Sequence, residues 1–128
     1  MSVNGSCACG GLKFILKGDL RDVVLCHCSQ CRKTSGHYWA ATQVYNDDLI
    51  LVAETTLKWY RSSDIARRGF CSGCGASLFY ERYGEGRTAV AAGTLDGPLD
   101  LKIMRNIYVA SKGDYYSIAD DVQQFEEY

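Results

Sequence analysis

Arg67-Arg68-Gly69-Phe70-Cys71-Ser72-Gly73-Cys74-Gly75-Ala76-Ser77-Leu78-Phe79-Tyr80-Glu81-Arg82 is the stretch on which the reading of this fold turns. Two strand-like segments, Arg67–Phe70 and Ser77–Arg82, flank a C-x2-C. The spacing has the form of a zinc knuckle: two thiolates converge on one ion when the chain turns tightly between them. Gly73 and Gly75 permit positive φ there, so that backbone N–H groups can point at the sulfurs.

The same texture extends in both directions. Segments rich in β-branched and aromatic residues recur at Leu12–Leu16, Val23–Cys26, Tyr38–Tyr45, Leu49–Val52, Leu57–Arg61, Thr88–Ala92 and Lys102–Val109. Turn residues separate them, notably Asn46-Asp47-Asp48, Gly84-Glu85-Gly86 and Asp96-Gly97-Pro98. This rhythm predicts an all-β domain. Ser29–Ser35 has room for one short helical piece, and no long amphipathic helix is visible. The length, 128 residues, suits one domain over residues 1–128 with a real core.

Seven cysteines stand in this short chain. An odd number cannot pair completely into disulfides, and thiols at such density in a reducing compartment read as metal ligands or redox groups. They form three clusters: Cys7-Ala8-Cys9, Cys26-His27-Cys28-Ser29-Gln30-Cys31 and Cys71-Ser72-Gly73-Cys74. The outer two are half-sites of matching valence, and together they make a closed four-thiolate site. The middle one carries three ligands within six residues, and three protein ligands with one exchangeable position is the build of a catalytic zinc site. Spacing alone equally allows Cys26 and Cys28 to join Cys71 and Cys74, leaving Cys31 free. A redox dithiol at Cys71 and Cys74 lacks the βαβ surroundings that such a motif needs.

Other classes are disfavoured by composition. Formal net charge is −1, and thiolate formation drives it lower, which argues against nucleic acid as a partner. No apolar run approaches the ~18 residues of a membrane span, and the polar opening residues are unlike a signal peptide. Cytoplasmic placement is the expectation.

Three motif-bearing stretches resemble one family: Gly5-Ser6-Cys7-Ala8-Cys9-Gly10-Gly11, Cys26-His27-Cys28-Ser29-Gln30-Cys31-Arg32 and Arg68-Gly69-Phe70-Cys71-Ser72-Gly73-Cys74-Gly75. They are similar to the glutathione-dependent formaldehyde-activating enzymes, a family that also contains centromere protein V. Gly93-Thr94-Leu95-Asp96 and Gln124-Phe125-Glu126 extend the likeness over nearly the whole chain. The resemblance implies a twisted-sheet, tent-like β fold organised around two zinc ions. It implies that Cys7, Cys9, Cys71 and Cys74 hold a structural ion and that Cys26, Cys28 and Cys31 hold a catalytic one. It further implies a carbon–sulfur lyase run in reverse, adding glutathione to formaldehyde, with glutathione or another small thiol and its aldehyde adduct as partners. The alternative is a non-catalytic zinc- or glutathione-binding carrier or thiol sensor. The chain departs from the family at Asn106, where members often carry histidine, and near Tyr115 and Tyr116, where they often carry tryptophan.

Three thiolates leave a zinc ion formally at −1. Arg32 and Lys33, directly after Cys31, are placed to offset that charge and to attract the carboxylates of glutathione. Arg67 and Arg68 offer the same chemistry or simply surface charge. His27, between two ligands, is expected to point away from the ion, in a supporting or surface position. His37 is a candidate proton shuttle or an ordinary exposed histidine, and Tyr38 and Trp39 line either a pocket or the strand core.

Overall fold

Two antiparallel strands, β1 (Ser2–Ser6) and β2 (Lys13–Lys17), open the fold and pair with Gly5 opposite Phe14. That pairing needs a glycine, because a Cβ at Gly5 would stand 2.4 Å from the Phe14 ring. The computed structural model describes residues 2–128. After β3 (Val23–Cys26) comes the helix α1 (Ser29–Ser35), followed by β4 (Trp39–Tyr45), β5 (Leu49–Ala53) and β6 (Leu57–Tyr60). β7 (Ala66–Cys71), β8 (Ser77–Arg82), β9 (Arg87–Ala91), β10 (Ile103–Ile107) and β11 (Gln123–Gln124) complete the set. The fold is all-β apart from α1 and short 3-10 turns.

The strands form two sheets. The smaller has the order β1-β2-β5, and the larger runs β11-β10-β3-β4-β9-β8-β7-β6. Most pairs are antiparallel. β10 is the exception, lying parallel to β3 on one side and to β11 on the other. Between the sheets sits the main core, in which Phe14, Leu16, Val44, Leu78, Phe79 and Val90 are all buried. Phe14 meets Phe79 edge-on at 5.3 Å between ring centroids, the preferred geometry for two quadrupoles. Alternation along the strands then sends a second set to the opposite face of the large sheet. Val44 and Val90 enter the core, whereas Trp39, Ala41, Ala89 and Ala91 pack there with the three cysteines of the middle cluster.

The strand limits differ from the sequence expectation by a residue or two at most ends, while Val23–Cys26, Ser29–Ser35 and Ser77–Arg82 coincide with it. Two strands lie outside the expected set. β1, Ser-Val-Asn-Gly-Ser, has almost no apolar periodicity and is held by its backbone ladder to the strongly apolar β2. β11 is two exposed glutamines that pair with β10. No helix among the described residues is long and apolar enough to cross a membrane.

Candidate metal centres and the cavity beside them

The first cluster joins the two sheets. Cys7 and Cys9 stand in the turn between β1 and β2, Cys71 ends β7, and Cys74 stands in the turn that leads to β8. All four sulfurs lie within 4.8 Å of one another, with Cys7–Cys9 and Cys9–Cys71 each at 3.6 Å. A tetrahedral zinc with ~2.3 Å bonds to sulfur sets its ligands about 3.8 Å apart, and a disulfide sets them at ~2.05 Å, so the quartet fits an ion. The pairing of C-x-C with C-x2-C is the one that the structure assembles. Backbone N–H groups already face the sulfurs: Leu12 N donates to Cys7 Sγ at 3.3 Å and Cys74 N to Cys71 Sγ at 3.4 Å. The Thr56 hydroxyl, 3.3 Å from Cys71 Sγ, and then the Cys74 N–H pull the Cys71 thiol down to about 6. Gly75 has the expected positive φ, 78°, but Gly73 does not. Space does not demand a glycine at Gly73 either, since a Cβ there would be in ordinary contact, 3.4 Å from Cys9 Sγ and 3.6 Å from Cys71 Sγ.

The second cluster is local. Cys26 ends β3, Cys28 is the N-cap of α1, and Cys31 is the third residue of the helix. Cys28 Sγ accepts from Cys31 N at 3.2 Å, the ordinary N-cap bond with sulfur in place of oxygen. Capping the helix therefore also places two of the three ligands. The three sulfurs lie within 4.8 Å of one another. Hydrogen bonding to Cys26 and then to Cys31 pulls the Cys28 thiol down to about 2, while Cys28 and then Cys31 push Cys26 up. No histidine or carboxylate joins this group among the described residues.

Arg68 sits against the triplet. Its guanidinium is 5 % exposed and donates through Nη2 to Cys31 Sγ at 3.4 Å and to Gln30 Oε1 at 3.3 Å. Aromatic faces hold it from two sides, Tyr80 at 4.9 Å and Trp39 at 5.9 Å. Sequence adjacency favoured Arg32 and Lys33 for this position, and the structure places both elsewhere. Arg32 Nε donates to Ser111 O at 3.2 Å, Lys33 is exposed, and neither lines the cavity beside the triplet. Arg67 turns to the other side of β7, where it pairs with Glu81 at 2.8 Å and covers the Trp59 ring at 3.7 Å.

A cavity of about 310 Å³ opens over the triplet. Cys26, Cys28 and Cys31 form one end, Trp39, Tyr80 and Tyr108 line its walls, and Arg68 contributes the nearest charge. Trp39 is thus both core and cavity wall. Tyr108 holds a left-handed φ of 55°, a strained conformation for a bulky residue, in the loop that follows β10.

His27 points the other way. It is buried, with Nε2 2.9 Å from Asn106 Oδ1 and Nδ1 2.7 Å from the Tyr116 hydroxyl. Asn106 Nδ2 donates to Gln123 O, so Oδ1 is the acceptor towards His27. Nε2 thus donates to Asn106, and in the neutral ring that burial favours Nδ1 accepts from the Tyr116 hydroxyl. Burial first of all pushes its pKa down. Asn106 and Tyr116, two positions that depart from the expected family pattern, meet at this one histidine. They border a second cavity, about 230 Å³, distinct from the one over the triplet. His37 does not approach the sulfurs; its Nδ1 lies 2.6 Å from the Tyr115 hydroxyl and its ring packs on Tyr38 at 4.1 Å.

This architecture has a solved counterpart. The crystal structure of a Rhodobacter sphaeroides protein is similar to it at a TM-score of 0.63 and 26 % identity, over 76 % of this chain and 91 % of that one. No curated protein matches it significantly. Residues 2–111, which contain all seven cysteines, match the family described as glutathione-dependent formaldehyde-activating enzyme. With both thiolate clusters assembled inside that span, the chain belongs to the glutathione-dependent formaldehyde-activating enzyme family.

Proposed function

We propose that the protein is a zinc-dependent carbon–sulfur lyase of the S-hydroxymethylglutathione synthase type, working as one domain over residues 1–128. The observation that carries this reading is the open side of the triplet: three sulfurs converge at the end of a cavity, and among the described residues no histidine, carboxylate or further cysteine joins them. The quartet suits a closed structural zinc, and Cys26, Cys28 and Cys31 suit a second zinc with one position free for substrate. Zinc held by the triplet would favour the thiolate form of an incoming thiol.

The chain's own residues supply the rest. Arg68, fixed by Gln30, donates to Cys31 Sγ and offsets the charge of three thiolates, the task that sequence adjacency gave to Arg32 and Lys33. Trp39 and Tyr80 keep water from the guanidinium and wall the space in which thiol and aldehyde meet. The reaction needs no oxidant. The S–H bond of glutathione breaks, a C–S bond forms, and the C=O of formaldehyde becomes C–OH; the lyase direction reverses each change. Asn106 borders the other cavity, so its replacement of a family histidine leaves the triplet's surroundings intact. Free thiols throughout are consistent with a reducing cytoplasm.

Exchange spectroscopy on 13C-formaldehyde with glutathione tests the proposal. The zinc-loaded protein should accelerate exchange between formaldehyde and S-hydroxymethylglutathione, and Cys28→Ala should not. Binding of glutathione to the metal without faster exchange would make the protein a carrier. No acceleration and no binding would end both readings.

A further inference from the structure

The cavity over the triplet has a second end. Trp39, Ala41 and Gln43 alternate along β4 onto its floor, and Val24 and Cys26 do the same along the paired β3. The cavity therefore runs along the strands, from the Cys26–Trp39 pair past Val24–Ala41 towards Gln43. Ala41 in the middle, and Ala89 opposite Gln43, put small side chains along this floor.

Arg21 stands at the far end. Its backbone N donates to Gln43 O at 3.4 Å and its Nη2 to Ala41 O at 3.0 Å. At ~3.3 Å per strand residue, this puts the guanidinium roughly 7–13 Å along the sheet from the triplet. Arg21, Arg68 and Arg82 all line the cavity, and no aspartate or glutamate does. Arg68 is engaged by Cys31 and Gln30, and Arg82 has Glu85 at 3.4 Å. Arg21 meets only carbonyl oxygens, those of Asp22 and Ala41, and among the described residues no carboxylate pairs with it. A half-buried cation without a counterion is costly unless a ligand completes it. Burial pushes its pKa down, Tyr128 on the same cavity pulls it up, and the neighbouring charges of Arg105 and Arg87 push it down again. At the triplet end Trp39 Nε1 and Arg68 Nη1 are buried without a partner, so a ligand that reaches Arg21 also passes unfilled donors there.

We propose that Arg21 is the carboxylate-binding residue of this cavity, selecting thiols that are extended acids with a carboxylate roughly 7–13 Å from the sulfur. The inference rests on the reading above in that it places the sulfur at the triplet. A glutathione-like peptide has the required reach, since two to three extended residues span about 7–10 Å. Small neutral thiols, such as 2-mercaptoethanol, would fill the triplet end and leave Arg21 unpaired.

Calorimetric titration of the zinc-loaded protein tests this with five probes: glutathione, its glycyl monoethyl ester, its diethyl ester, S-methylglutathione and the diethyl ester of S-methylglutathione. Masking the contacted carboxylate should weaken binding to the wild type at least tenfold, and the two esters identify which carboxylate it is. Arg21→Gln should lose the same factor for glutathione and no longer distinguish acid from ester, while Arg21→Lys recovers part of the loss. Equal binding of acid and esters to the wild type, or unchanged discrimination in Arg21→Gln, would overturn the assignment. The wild-type ester series decides the matter even where a variant folds poorly. S-Methylglutathione separates the two claims. Discrimination that persists between it and its diethyl ester, without any accelerated exchange, keeps the carboxylate site and removes the enzyme; accelerated exchange without ester discrimination does the reverse.

Discussion

The two cysteine clusters share a ligand chemistry and differ in what they hold together. The quartet draws its sulfurs from two turns on different sheets, and Cys9 and Cys71 are 62 residues apart in sequence. The triplet lies within one strand end and one helical turn, with Cys28 and Cys31 three residues apart. Each cluster has backbone donors on its sulfurs, and the triplet adds a guanidinium and a cavity. A long-range cluster fixes chain topology, so its metal contributes to folding. A short-range cluster costs the fold little and leaves its metal free for exchange chemistry.

The sharpest way to break that contrast is to remove one ligand from each cluster. Cys74→Ser should give an insoluble or molten protein, because a structural zinc contributes an apparent ~10–16 kcal/mol against a typical net stability of ~5–15 kcal/mol. A natively folded Cys74→Ser with one zinc fewer, seen by circular dichroism and metal analysis, would show that the sheets hold without the clamp. Cys28→Ala should keep its fold and one zinc while losing the second ion and all acceleration of exchange. Equal losses of melting temperature in the two variants would erase the distinction.

Smaller effects sharpen it. Arg68→Met should leave the quartet untouched and weaken zinc at the triplet by about 10–100-fold, the usual range for a residue that bonds a ligand. Chelator competition measures this, and an unchanged affinity would remove Arg68 from the proposed mechanism. The smallest effect belongs to His27. Its folded pKa is depressed, so the unfolded chain takes up the proton first, and the stability that the neutral imidazole contributes is present above the ordinary ~6.5 and lost as pH falls below it. His27→Gln should therefore show a shallower decline in unfolding free energy between pH 7.5 and 5.5 than the wild type. Parallel declines would mean that thiolate protonation alone sets the acid limit.

What the sequence discloses follows the same division between local and distant. The cysteine clusters are legible because C-x-C and C-x2-C spacings are local, and the strands from Leu12 to Val109 because aromatic and β-branched runs mark them. β1 and β11 are not, since their order comes from partners, Phe14 to Leu16 for one and Arg105 and Asn106 for the other. The residue that meets the triplet is hidden for the same reason. Arg32 and Lys33 follow Cys31 in the chain, but Arg68 reaches it from 37 residues away, across strands whose order no local pattern states. Arg21 is the extreme case: nothing in its neighbourhood of sequence marks it, and only the shared floor of β3 and β4 brings it to the cavity.

The parallel pairing of β10 with β3 also sets a timetable for biosynthesis. Cys26, His27 and Cys28 leave the ribosome early, yet the strand beside them and the Asn106 that fixes His27 are made 79 residues later. At ~5–20 residues per second, that interval lasts roughly 4–16 s. Throughout it, β3 is an uncovered sheet edge next to three reactive thiols. The nascent chain is therefore most open to oxidation and to capture of the wrong metal before this side of the molecule is finished, and an oxidising translation environment would act first at its triplet.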